Sequence, residues 1–153
     1  MAKNLADKLK SIFDEEYSLF LSEVASGAEK QMLSNFDKEK DVNGNSFAPL
    51  KDSTIKERRS KGYRGANPIL KRTKNLRNNI KVKANMATMG FDLDPPFYAD
   101  FLNDGRSDME PRKIVELPDD WNEGGSKRRV IFNKLKDNLE NRLIDAINIF
   151  NEE

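Results

Sequence analysis

Two long amphipathic segments, one at each end of the chain, limit the fold more than any other feature. Apolar side chains recur every three or four positions in residues 4–34 and again in residues 126–150. The first stripe consists of Leu5, Leu9, Phe13, Tyr17, Phe20, Val24, Ala28 and Met32. The second consists of Phe132, Leu135, Leu139, Leu143, Ala146 and Phe150. This spacing places each set on one side of a helix. The sequence therefore predicts two long helices with apolar sides to bury, and Glu16 interrupts the first stripe.

Between the two helices the pattern predicts a small antiparallel sheet. Two short runs alternate apolar and polar residues, and Asn85–Thr88 joins them as a hairpin. Their apolar positions are Ile80, Val82 and Ala84 in the first run, then Met89, Phe91 and Leu93 in the second. Shorter elements are predicted around them: a helix at 52–60 capped by Asp52 or Ser53, a helix capped by Thr73, helical turns at 97–102, and a strand at 109–117. We predict an α+β fold that forms one domain over residues 1–153.

Composition excludes several classes of chemistry. The 153 residues contain no Cys and no His, so disulfides, thiolate catalysis, zinc–sulfur sites and histidine bases are ruled out. No glycine loop for phosphate accompanies the carboxylates, so we nominate no catalytic, metal-binding or cofactor-binding residue and predict that the protein is not an enzyme. No apolar run approaches the roughly 20 residues that span a bilayer, and the N-terminus has no signal-peptide core. We expect a soluble protein that stays in the cytoplasm where it is made, without a membrane partner.

Positive charge is concentrated in residues 51–83, which we call the basic segment. It holds twelve Lys or Arg against two acids, whereas the other 120 residues hold 15 basic and 24 acidic residues. Such a charge run is either a solvated surface or a contact for a negative partner. Ten uncompensated charges favour a partner, which is either DNA phosphate or the acidic face of a neighbouring protein. Tyr63 is the one aromatic residue of the segment, which argues against a single-strand binder. The candidate contact residues are Arg58, Arg59, Lys61, Arg64, Lys71, Arg72 and Lys74.

An ordered set of short motifs crosses about residues 32–118. It begins with Asn35-Phe36 and continues through a turn, two short helices, a Tyr-Ala corner and a Pro-Arg pair. Its main members are Gly44, Phe47, Pro49, Leu50, Thr54, Arg59, Leu70, Thr73, Leu76, Arg77, Ile80, Tyr98, Ala99, Gly105, Pro111 and Arg112. This order resembles the phage virion morphogenesis family, also called tail completion proteins.

The resemblance implies a small structural protein of a phage or prophage particle. Such a protein acts at the head–tail junction or at the end of the tail tube, with a tail-terminator-like fold. Related proteins form rings around the DNA channel, so the expected partners are further copies of the chain, other tail or connector proteins, and DNA in the channel. The expected locations are the host cytoplasm during assembly and then the virion. The alternative is a small DNA-binding protein that uses the basic segment.

Overall fold

A computed structural model describes residues 2–65, 75–94, 96, 98–105 and 110–152. Over these residues the fold is α+β, with a long helix at each end and a small antiparallel sheet, as predicted. The helices are α1 (Ala2–Asp37), α2 (Asp52–Ser60), α3 (Asn75–Asn78), α4 (Ala99–Asp104) and α5 (Ser126–Glu152). The strands are β1 (Val82–Asn85) and β2 (Gly90–Leu93), and a single 3₁₀ turn covers Asp119–Trp121.

The chain divides into two compact units. The helical unit comprises Met1–Ser26, Lys83–Asp92 and Asp120–Glu153, and the central unit comprises Gly27–Val82 and Leu93–Asp119. The prediction of one domain over residues 1–153 stays a prediction.

In the helical unit, α5 runs antiparallel to the first half of α1. Lys134 pairs with Glu23 at 3.1 Å, and Arg142 pairs with both Glu15 and Glu16 at 2.8 Å, so later residues of α5 meet earlier residues of α1. The buried side chains of these helix segments are Ile12, Glu16, Phe20, Leu21, Val24, Ala25, Leu135 and Ala146. The helix–helix contact is thus shifted from the predicted stripes, because Ile12 and Glu16 are buried while Phe13 and Phe132 are 40% and 44% exposed.

The central unit packs the second half of α1 against the loops that follow it. Met32 and Phe36 are buried on α1, and the Phe36 ring meets Phe47 edge-on at 6.3 Å between centroids. Further along the chain the core of this unit takes Val42, Leu76, Ile80, Val82, Ala99, Ile114 and Val115. The elements that carry these side chains are short, since α2, α3 and α4 are each nine residues or shorter.

The hairpin is confirmed, with a small change of register. β1 begins two residues later than the predicted run, and Ala84 is exposed where the alternation placed it inward. Met89 takes a left-handed φ of 55°, which places the turn at residues 86–89. The two strands have no third partner among the described residues. The alternation of apolar and polar residues therefore specifies the pairing of the two strands only weakly.

Two further predictions need correction. Residues 110–117 form no strand: Ile114 and Val115 are buried side by side, and their backbone N–H groups donate to the Asn103 side chain. At α2 the predicted cap is wrong, because Lys51 occupies the N-cap position and makes no side-chain cap bond there. Asp52 instead lies in the first turn, where its negative charge is favourable to the helix dipole. Thr73, Phe97 and Met109 lie outside the described residues.

Candidate interaction surfaces

A tight turn after α1 places the first group of motif residues. The Asp41 carboxylate accepts backbone N–H bonds from Asn43 at 2.9 Å and from Asn45 at 2.8 Å, and the Asn45 side-chain amide adds a third bond at 3.0 Å. Gly44 has a φ of 91°, a conformation that L side chains rarely adopt. Short polar side chains and one glycine thereby close the turn and return the chain toward Phe47, which is buried.

Arg112 ties this turn to a segment more than 60 residues later. Its guanidinium donates to the carbonyl of Ala48 at 3.2 and 2.8 Å, to that of Pro49 at 3.2 Å and to that of Glu110 at 3.3 Å. The residue is only 5% exposed. Burial lowers the pKa of Arg112, the Glu110 carboxylate acts to raise it, and the Arg58 cation acts to lower it. This cation acts as a structural cross-link whose donors are taken up by carbonyl oxygens.

Asn103 makes the second cross-link of the central unit. Its side-chain oxygen accepts from the N–H groups of Ile114 and Val115 at 2.8 and 3.2 Å, and its amide donates to the Val115 carbonyl at 3.0 Å. Asn103 lies in the last turn of α4, and Gly105 caps this helix with a φ of 68°. A six-residue helix with Ala99 fully buried at its start therefore holds the segment that carries Arg112.

The structure brings most of the motif residues into the central unit but not into one contact. Phe47, Leu76, Ala99 and Arg112 are buried, whereas Pro49 and Pro111 are exposed. Gly44, Leu50, Tyr98 and Gly105 are half-buried. The residues that meet directly are Arg112 and the carbonyls of residues 48 and 49. We call this group the Arg112 corner.

Four of the seven basic candidates are described. Arg59, Lys61 and Arg64 are exposed and Arg58 is half-buried, all on α2 or just after it. Lys61 forms an ion pair with Glu57, and the side chain of Arg59 lies close against Gly65. Lys71, Arg72 and Lys74 lie outside the described residues. The described candidates thus form an exposed basic surface at the C-terminal end of α2.

Five cations of the basic segment, two of them among these candidates, lie without a carboxylate within 4 Å in the part of the chain that is described. They are Lys56, Arg59, Arg64, Lys81 and Lys83. Arg77 differs, because it holds Asp37 through two bonds of 2.8 Å that raise the pKa of its guanidinium. A negative partner would therefore find several cations that no ion pair within the described ranges occupies.

Sequence reasoning named Arg112 but missed other polar groups that hold the fold together. Glu16 is 8% exposed and accepts from Arg142, and the same guanidinium reaches Glu15. The available signal was the acid on the apolar stripe of α1, since a buried acid requires a partner. Asp41 and Asn103 had no such signal, because polar residues in loops are ordinary.

A cleft of about 330 Å³ lies beside the start of α5. Tyr17, Phe20 and Phe132 line it together with Arg128 and Arg129. The Arg128 guanidinium lies over the rings of Phe20 and Phe91 at 5.8 and 5.5 Å, and Arg129 donates to the Gly124 carbonyl at 3.2 Å. Both arginines therefore already make contacts within the protein.

Neither metal sites nor membrane spans are found in the described ranges. No group of three or more acidic residues is placed to hold a metal ion there, and no helix there is long and apolar enough to cross a bilayer. No protein-family model matches this chain, and neither a curated protein nor a solved structure matches it.

Proposed function

We propose that this chain is a structural subunit of a phage particle that works in tail completion or head–tail joining, as an oligomeric ring. The Arg112 corner is the observation that carries the proposal. It gives the resemblance a physical reason, since Arg112 binds the carbonyls of Ala48 and Pro49 across more than 60 residues of sequence. Motif residues that stabilise one another form a coherent structural set, and no catalytic group is needed to explain them.

The mechanism is geometric and electrostatic. The basic surface at the end of α2 is exposed, while the chain outside the basic segment carries an excess of nine acids. Complementary charge steers docking and fixes register between surfaces. Identical subunits that join head to tail close into a ring when the rotation between neighbours closes.

Electron microscopy of the purified protein tests the proposal directly, together with light scattering over a range of concentrations and salt. We expect rings with a central channel. A protein that stays strictly monomeric, and binds no tail or connector protein, contradicts the proposal.

A matched pair of variants tests the electrostatic mechanism. The double change Arg59→Glu with Arg64→Glu reverses two exposed cations of the basic surface, whereas Lys30→Glu reverses an exposed cation on α1 outside the basic segment. We expect the double change to abolish rings and Lys30→Glu to leave them intact. Far-UV circular dichroism establishes that all variants keep their helices.

DNA binding by the basic segment is the second candidate, favoured by the cations without a carboxylate neighbour in the described residues. A gel-shift titration at increasing salt distinguishes it from ring formation. Binding to phosphate predicts a log–log slope of about −0.9 per phosphate neutralised. Reversal of Arg58, Arg59, Arg72 and Lys74 to Glu should abolish the shift. No detectable binding at low salt rules out this candidate.

A further inference from the structure

The cleft beside the start of α5 has a continuous aromatic wall. The ring centroids of Tyr17 and Phe20 lie 5.5 Å apart, and those of Phe20 and Phe132 lie 5.9 Å apart. Phe132 is exposed and Tyr17 is half-buried, so ring surface is accessible along the cleft. The cleft volume of about 330 Å³ falls within the range of about 300–1,000 Å³ that is typical of small-molecule pockets. The cleft therefore has the size and the lining of a small-molecule site.

Arg128 adds a positive charge to the cleft that is held in place but not neutralised. Its guanidinium carbon lies 5.8 Å from the ring centroid of Phe20 and 5.5 Å from that of Phe91. Contact between a cation and the face of a ring is attractive, but a ring offers the N–H groups no acceptor oxygen. Within the described ranges this guanidinium makes no hydrogen bond and has no carboxylate within 4 Å. The two rings thus fix the side chain while its N–H groups can still donate to a ligand.

The remaining charges of the cleft favour a ligand with one negative charge. Arg129 donates to the Gly124 carbonyl at 3.2 Å, and among the residues that the structure describes it has no carboxylate within 4 Å. Glu123 also lines the cleft and makes no ion pair with any described residue. Two arginines and one acid give the lining a net charge of +1. The positive end of the α5 dipole lies at the same place, where cations are unfavourable unless an anion is near.

We infer that this cleft is a binding site for a small aromatic carboxylic acid. The ligand carboxylate accepts hydrogen bonds from Arg128, whose planar guanidinium matches a carboxylate with two parallel bonds. The flat ring of the ligand packs against Tyr17 and Phe132 and removes their exposed surface from water. This site does not rest on the proposed ring, since its residues belong to the helical unit and the basic surface belongs to the central unit.

A charged ligand and its neutral counterpart test the inference without any change to the protein. The probes are naphthoate and naphthamide, which share one ring system and differ in the carboxylate. Titration of the isotope-labelled chain, followed by NMR, measures both affinities. We expect saturable shifts of the amide signals of Tyr17, Arg128 and Phe132 with naphthoate, and at least about tenfold weaker binding of naphthamide. No saturable binding at millimolar naphthoate, or equal affinity for the two probes, overturns the inference.

A matched pair of substitutions locates the site. Arg128→Gln removes the guanidinium that holds the carboxylate, whereas Lys136→Gln removes the same charge from an exposed position of α5 that does not line the cleft. Naphthoate should bind Arg128→Gln at least about tenfold more weakly, and Lys136→Gln with unchanged affinity. Circular dichroism establishes that both variants keep their helices. Equal affinities of the two variants overturn the inference, because they would show only a general attraction between charges.

A nucleotide distinguishes a carboxylate from a phosphate as the anionic group. Adenosine monophosphate also joins a flat ring to an acidic group, but its phosphate carries nearly two negative charges at neutral pH. A lining with one net positive charge matches the carboxylate better, so naphthoate should bind more tightly in the same NMR titration. Tighter binding of adenosine monophosphate overturns the assignment to a carboxylic acid.

Discussion

At the scale of single residues, a few polar groups hold the central unit where its elements are short. Arg112 binds the chain after Phe47, Asn103 binds the segment around Ile114, and Asp41 closes the turn after α1. Each replaces backbone pairing that a larger sheet would supply. The motif residues are thus explained by packing and hydrogen bonding.

Removal of the Arg112 side chain should destabilise the protein strongly. Arg112→Met keeps much of the apolar stem but leaves the carbonyls of Ala48 and Pro49 without their donors, at a cost of about 2–4 kcal/mol. Arg112→Lys should recover only part of this loss, because an ammonium group lacks the planar fork. Urea unfolding monitored by circular dichroism measures both. Lys113→Met, at an exposed neighbour, is the control, and an equal loss there would contradict the role given to Arg112.

Gly44 should resist substitution for a reason confined to the backbone. A Cβ at this position would meet nothing within 4 Å, but the φ of 91° is strained for any other residue. Gly44→Ala should therefore lower the unfolding free energy by about 1–2 kcal/mol. Gly90→Ala is the matched control, since its Cβ would make only ordinary contacts, the nearest at 3.6 Å. Equal stability of the two variants would show that the turn tolerates a side chain.

At the scale of elements, periodic patterns in the sequence predicted the elements that bury one side. Both long helices and the hairpin follow from spacing alone, because burial of one side imposes a repeat on the sequence. The strand expected at 109–117 does not form over the described residues 110–117. Asn103, and not a neighbouring strand, accepts from the N–H groups of Ile114 and Val115. The acid on the apolar stripe of α1 was a signal that Glu16 needs a partner, but spacing could not identify Arg142, which lies more than 120 residues away.

The ion pair between the two long helices should make stability depend on pH. The hydrogen bond from Arg142 lowers the pKa of Glu15 below its ordinary value of 4.5. A carboxylate whose pKa is lower in the folded state stabilises the fold above its unfolded pKa, and this contribution is lost as pH falls through the folded value. The difference in unfolding free energy between wild type and Glu15→Gln should therefore shrink as the pH falls below about 4.5.

A second variant isolates the pair as the cause. In an Arg142→Gln background, Glu15→Gln should have little effect at any pH, as the double-mutant cycle requires for residues that act through each other. Chemical denaturation at several pH values measures all four proteins. A pH-independent difference between wild type and Glu15→Gln would mean that the carboxylate gains nothing from Arg142.

At the scale of the whole molecule, the uneven distribution of charge is the feature that favours association. The basic surface after α2 carries exposed cations, whereas the chain outside the basic segment carries an excess of nine acids. Attraction between two such surfaces acts over a long range and depends on the ionic strength of the solution. The stability of the proposed ring should therefore depend on salt.

Salt should weaken the proposed ring. At 1 M monovalent salt the screening length falls to about 3 Å, so attraction between exposed charged surfaces is largely lost. Apolar burial does not weaken in this way, and sulfate strengthens it. Light scattering over a series of sodium chloride concentrations should show the rings dissociating. Rings that persist at 1 M salt would mean that apolar contacts, and not charge, join the subunits.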